Sequence, residues 1–141
     1  MAQNTIKKEI FIDAPVQKVW DYVSVPAWWV GEKGPDHVTI DGNRVVATCK
    51  YGRFPVVIET TNAPSSIVCR WASSYPGEEP KAGNSTVVEF GLESENGGTR
   101  LKVTESGFAH LDAPESDQIR FFEENSEGWS IMMNVIKDRA Q

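Results

Sequence analysis

The sequence is short of the residue types on which most recognisable chemistry depends. Two histidines, His37 and His110, and two cysteines, Cys49 and Cys69, are all that occur in 141 residues. Neither histidine stands near a cysteine, so no metal site is expected. A lone cysteine pair fits buried thiols in a reducing compartment, with a disulfide as the alternative. There is no Gly-x-Ser-x-Gly elbow, and "ENGGTR" and "KGPDH" lack the Gly-Lys-Ser/Thr ending of a phosphate loop. Positive charge is scarce too. The net charge is −6, with Lys7, Lys8, Lys50 and Arg53 scattered among acids. Nucleic acid, bound largely by neutralising phosphates, is therefore not an expected partner. The N-terminal "MAQNTIKKEI" has no apolar signal core, and no run approaches the roughly 20 apolar residues of a membrane span. Those two absences point to a cytoplasmic protein.

What is present describes one domain over residues 1–141, with apolar and charged contents of 40% and 24% that suit a globular core. "TIKKEIFI" alternates as a strand. "DAPVQKVWDYV" then places Val16, Val19, Trp20 and Val23 at helical spacing after Pro15, and Pro26 ends that helix. "AWWVGEKGPD" reads as a short helical or irregular segment closed by Gly31 and Gly34. A meander follows, in which "HVTID", "RVVATCKY", "FPVVIETT", "SIVCRWAS", "STVVEFGLESE" and "TRLKVTESGF" are separated by turn chemistry. Residues 74–84 form a loop. The count is about seven strands, mostly antiparallel.

The last element starts at Asp112-Ala113-Pro114, with Glu115 completing a loose capping box, and runs to about Arg139. Successive residues placed at 100° gather Ile119, Phe121, Phe122, Trp129, Met132, Met133, Val135 and Ile136 on one side. Arg120, Glu123, Glu124, Glu127, Ser130, Asn134, Lys137 and Asp138 gather on the other. The apolar arc spans nearly half the circumference, wider than the ~100° stripe of a surface helix. A curved sheet wrapped around the helix would cover it. Gly128, on one shoulder of the arc, raises a question, because a helix-interior Gly costs about 0.5–1 kcal/mol relative to Ala. The expected answer is that the helix continues and a neighbouring backbone comes close there.

Three stretches, "IDAPVQKVWDYVSVPAWWV" (Ile12 to Val30), "VTESGF" (Val103 to Phe108) and "NSEGWSIMMNVI" (Asn125 to Ile136), together with the order of elements, carry a family likeness. The chain resembles the START/SRPBCC superfamily, of birch-pollen-allergen-like fold. Within it, the chain is similar to the activator of heat shock protein 90 ATPase homologues, often grouped with polyketide cyclases. The resemblance implies an α+β helix-grip fold. In it a curved antiparallel sheet of about seven strands wraps a long C-terminal helix, two short helices follow the first strand, and an apolar cavity lies between sheet and helix. It does not supply a reaction, since lipid and hormone carriers, cyclases, hydroxylase components and co-chaperones share the fold.

Two polar residues stand out against that frame. Asn125 sits near the centre of the apolar arc, where an unpaired amide costs about 1–3 kcal/mol. Either it bonds a ligand or water in the cavity, or it satisfies a nearby backbone group. Gln118, on the same line nearer the helix end, is expected to be solvated. Glu105 shares a strand face with Leu101 and Val103. That face aims it at the core, where desolvation would disfavour its ionised form and make it a candidate acid or base. The expected arrangement is instead a bulge before Gly107 that releases it to solvent.

Aromatic and soft residues supply the wall. Tyr51 with Cys49, Cys69 with Trp71, and Phe90 with Leu92 each share a strand face opposite Trp129, Met132 and Met133. Most such residues fill cores; their quantity makes the case for a half-open cavity. The candidate ligand-binding set is Trp129, Asn125, Phe122, Met133, Met132, Tyr51, Cys69, Trp71, Phe90, Glu105 and Trp28. No catalytic residue is assignable, no cofactor is expected, and whether the protein is an enzyme stays open.

Three functions compete. One is binding of a small hydrophobic or aromatic molecule, as carrier or sensor. The second is a cyclase- or lyase-type reaction in which Glu105, Asn125 or His110 positions and protonates a carbonyl compound. The third is regulation of a chaperone ATPase. This chain spans one domain, whereas the eukaryotic co-chaperones it resembles carry a further N-terminal one. Trp28-Trp29 discriminates: exposed tryptophans favour a partner surface, buried ones a lined pocket.

Overall fold

A computed structural model describes residues 3–30 and 38–141. His37 and the Gly31–Gly34 closure lie outside them. Seven strands form one sheet: β1 (Thr5–Ile12), β2 (Val38–Asp41), β3 (Arg44–Cys49), β4 (Gly52–Asn62), β5 (Ser66–Trp71), β6 (Thr86–Glu95) and β7 (Gly98–Ser106). Their order is β1-β7-β6-β5-β4-β3-β2, every neighbouring pair antiparallel. Consecutive strands therefore sit side by side from β2 to β7, and β1 closes onto β7.

The sheet curves around α2 (Glu115–Ala140), a helix roughly 39 Å long at 1.5 Å per residue. The fold is the expected α+β helix grip. The two short helices are α1 (Val16–Val23) and a single 3-10 turn at Pro26–Trp28. A second 3-10 turn, Phe108–His110, leads into α2. The capping box is not formed: Pro114 occupies the N-cap of α2 and no side chain bonds there. Glu115 and Asp117 nevertheless put negative charge in the first turn, and Lys137 and Arg139 put positive charge in the last, as the helix dipole favours.

Alternation builds the core. Leu101, Val103 and Glu105 of β7, Val88, Phe90 and Leu92 of β6, and Ile67 and Cys69 of β5 are buried on one face. Trp129, Met132, Met133 and Ile136 meet them from α2. Cross-strand pairing lines up Ile6, Glu105, Val88, Cys69 and Ile58 in one row across the sheet. Glu105 is the one polar member of that row.

The bulge expected before Gly107 is absent. β7 is pinned by unbroken pairing on both edges, to β1 and β6, through Ser106. A strand held on both sides cannot slip one residue without breaking two ladders, so the period of two carries through Glu105. The register shift that does occur lies in β4, between Ile58 and Thr60.

Gly98, at the start of β7, is where a backbone needs a missing side chain. A Cβ there would stand 2.6 Å from both the Ile12 carbonyl oxygen and the Phe11 ring. Gly98→Ala is expected to cost about 1–3 kcal/mol, the usual range for overpacking. A lowered urea midpoint with unchanged slope would show it.

Candidate functional site

Between the open part of the sheet and one shoulder of α2 lies a cleft with two contiguous lobes. The inner lobe, about 140 Å³, is lined by Trp29, Trp71, Asn125, Gly128, Trp129 and Met132, with Glu124 at its edge. The outer lobe, about 530 Å³, shares Trp29, Trp71, Glu124, Asn125 and Gly128 and extends past Cys49, Phe54 and Ser73 to Tyr51 and Phe121.

The rings form a connected group. Trp29 lies 5.3 Å from Trp71 and 5.7 Å from Trp129, Trp71 lies 6.3 Å from Trp129, and Phe54 closes on Trp71 at 6.0 Å. These are the offset and edge-on separations at which aromatic quadrupoles attract. Trp29 is held by its indole N–H, which donates to the Val23 carbonyl at 3.1 Å.

Glu105 sits behind this wall, fully buried. Four neutral groups donate to it. Thr86 Oγ1 and Trp71 Nε1 reach Oε2 at 2.5 and 2.9 Å, and Trp129 Nε1 reaches Oε1 at 2.7 Å. Asn125 Nδ2 spans both oxygens at 3.1 and 3.2 Å. No cation shares the site among the described residues. Burial pushes the carboxyl above its ordinary range, and the donations from Thr86, Trp129, Trp71 and Asn125 pull back against that. With both oxygens occupied, a ligand cannot reach the carboxylate without displacing a donor. Glu105 therefore positions the wall and is not placed to exchange protons with cleft contents.

Asn125 takes neither of its two expected roles alone. Its amide nitrogen also donates to Ser73 Oγ at 2.9 Å. Both N–H groups are thereby used on side chains, and neither on backbone. That fixes the amide orientation, because only the nitrogen can face a carboxylate. Oδ1 has no protein partner among the described residues, yet no buried side-chain oxygen is left unpaired. It is therefore open to the cleft that Asn125 lines.

The structure places the sequence candidates in three groups. Trp129, Asn125, Met132, Trp71 and Tyr51 line the cleft. Tyr51 does so from the turn after β3 and not from a strand; it is exposed at the rim. Glu105, Phe90, Cys69 and Met133 are buried behind the wall, with Phe90 5.6 Å from Trp129. Burial pushes the Cys69 thiol up to about 12. Phe122 and Trp28 lie elsewhere: Phe122 stacks edge-on against Phe108, and Trp28 packs on Tyr22 beneath the Arg139 guanidinium. His110 is exposed on its 3-10 turn, outside the cleft lining. Gln118, expected in solvent, donates to the Leu111 carbonyl at 2.8 Å and ties α2 to the turn before it.

Gly128 corrects the expectation drawn from its missing side chain. A Cβ there would meet no atom of the described residues within 4 Å, and the residue lines both lobes. Among the described residues no backbone approaches, and the space belongs to the cleft. Trp29, weighed with Trp28 but left out of the candidate set, lines both lobes, and Phe54, Phe121, Ser73 and Glu124 join it without having been site candidates. Phe121, Asn125, Gly128 and Met132 follow one another at i, i+4, i+7 and i+11, and that spacing is the signal that could have traced the cleft along α2. Among the described residues no three His, Cys, Asp or Glu converge on a metal position, and no helix is long and apolar enough to cross a membrane. Cys49 and Cys69 are free thiols.

The family model described as "Activator of Hsp90 ATPase homolog 1-like protein" matches residues 13–141. No curated protein matches the chain in sequence. Among solved structures, protein BH1534 from Bacillus halodurans is similar over 100% of both chains at 21% identity and a TM-score of 0.72. Protein MLL2253 from Mesorhizobium loti is 19% identical over 96% of this chain and 95% of its own, with TM-score 0.72. The Aha1 dimer from Colwellia psychrerythraea is 16% identical over 98% and 96%, again at 0.72. Likenesses at these identities establish a shared fold.

Glu105→Gln is expected to destabilise by about 1–3 kcal/mol, because whichever way the amide turns, its N–H faces an indole N–H. A pH series adds a second signature. The raised carboxyl binds a proton in the folded state where the unfolded chain has lost it. Its stabilisation is complete below the ordinary glutamate range and fades as pH rises through the raised value. Urea midpoints across that window are expected to fall with pH in the parent, and the Glu105→Gln variant is expected to lose that component.

Proposed function

The chain belongs to the Activator of Hsp90 ATPase homolog 1-like family, and on that footing we propose that it binds a small hydrophobic or aromatic molecule in the cleft between the sheet and α2, as a carrier or sensor. Gly128 is the observation that carries this reading. A glycine in the middle of a 26-residue helix weakens it by about 0.5–1 kcal/mol relative to Ala, and among the described residues nothing occupies the space it leaves. Packing alone would favour a methyl group there. A cleft that must admit a guest favours its absence.

The tryptophan pair supports the same reading. Trp29 is buried and lines the cleft, and Trp28 is half-buried against Tyr22 and Arg139. Neither forms the exposed aromatic patch that a docked chaperone would use. The carbonyl-chemistry alternative loses its acid, since both oxygens of Glu105 are occupied and His110 stands outside the cleft.

Titration with lipids and with fused-ring aromatics, followed by backbone amide NMR, tests the reading. Shifts are expected to concentrate on Asn125, Gly128, Trp129 and the Trp71 end of β5. Perturbations that scatter over the surface, or none at any attainable concentration, would refute it. Two variants give the matching prediction. Gly128→Ala raises stability by about 0.5–1 kcal/mol in urea unfolding. Gly128→Phe keeps the far-ultraviolet circular dichroism spectrum and weakens a bound aromatic probe at least tenfold by filling the lobe it shares.

A further inference from the structure

Resting on the cleft reading above, we infer that the preferred occupant is an aromatic molecule carrying a positively charged, N–H-bearing group, and that carboxylates are turned away. The inference comes from which polar atoms the walls withhold. All three indole donors point elsewhere: Trp29 Nε1 to the Val23 carbonyl, Trp71 Nε1 and Trp129 Nε1 to Glu105. What these residues leave for the cleft is the faces and edges of their rings. Asn125 is turned the same way, both N–H groups committed to Ser73 and Glu105 and Oδ1 left open.

The remaining lining repeats the pattern. Ser73 and Ser74 can act either as donor or acceptor, and Glu124 brings a carboxylate to the rim with no ion pair among the described residues. Among the described residues, no Lys, Arg or His lines either lobe. Fixed acceptors thus outnumber fixed donors, and π faces present negative electrostatic potential, strongest for tryptophan. An indole whose N–H donates to a carboxyl oxygen is the more electron-rich for it, and two such indoles flank the inner lobe.

The outer rings show the preference in miniature. Lys50 Nζ sits 5.0 Å from the Tyr51 ring centre and the Arg120 guanidinium 5.0 Å from that of Phe121. Both cations come from exposed residues that are not part of the lining. The three inner indoles have no protein cation on them among the described residues.

Three probes sharing one ring system test this: naphthalen-2-ylmethylammonium, 2-naphthylmethanol and 2-naphthoate. Each is titrated into the full chain at about 0.5 M salt, which shortens the screening length to a few ångströms and silences the acidic surface. Affinity is read by calorimetry and location by indole N–H NMR shifts. The ammonium is expected to bind at least tenfold tighter than either of the others, with shifts at Trp29, Trp71 and Trp129. An alcohol or a naphthoate that binds the cleft as tightly as the ammonium overturns the charge preference and leaves the cleft reading standing. An ammonium preference whose shifts fall outside the cleft also overturns it. Failure of all three to perturb the indoles overturns both.

Discussion

One buried carboxyl group, with no cation beside it among the described residues, holds the site together. Glu105 lies on β7, and its donors come from β5 (Trp71), β6 (Thr86) and α2 (Asn125 and Trp129). Taking a carboxylate out of water without a counter-charge is costly, and hydrogen bonds to charged groups return only about 1.5–3 kcal/mol each. Losing any one of them leaves the others to bear more of that cost. The sheet and the helix are thereby fixed relative to each other at the point where the cleft opens. The two indoles that receive this orientation are also two of its walls, so its shape follows from hydrogen bonds to a buried carboxyl as well as from ring packing.

Much of this architecture was legible before any coordinates. Period-two alternation, turns such as Asn96-Gly97, and the width of the apolar arc led to seven strands gripping a long helix. Inward-facing candidates were also legible where a regular element carried them, as with Trp129, Met132 and Trp71. What stayed hidden depended on partners from elsewhere in the chain. The inward aim of Glu105 was visible along its strand, but only pairing on both edges decides that β7 does not bulge. Periodicity could not choose between Trp28 and Trp29, because they follow Pro26 in a single 3-10 turn where helical counting does not apply. Tyr51 was misplaced by extending β3 two residues into its turn.

Gly128 shows the same boundary from the other direction. Its anomaly was visible as a cost to the helix, and two arrangements explain such a cost: a close neighbour or an empty volume. Gly98 realises the first, pressed against Ile12 and Phe11, and Gly128 the second. Both are one-letter signals with opposite meanings. Three-dimensional context separates them, because the atoms that come close, or fail to, lie on other elements.

α2 follows β7 in the chain, and that order has a temporal reading. Synthesis proceeds at roughly 5–20 residues per second, so Glu105 leaves the ribosome on the order of seconds ahead of Asn125 and Trp129, which follow it by 20 and 24 positions. Until they arrive, the nascent sheet keeps that acid wet, and keeping it so costs nothing. Dehydration of that acid and completion of the aromatic chamber both require α2, the last element to be synthesised.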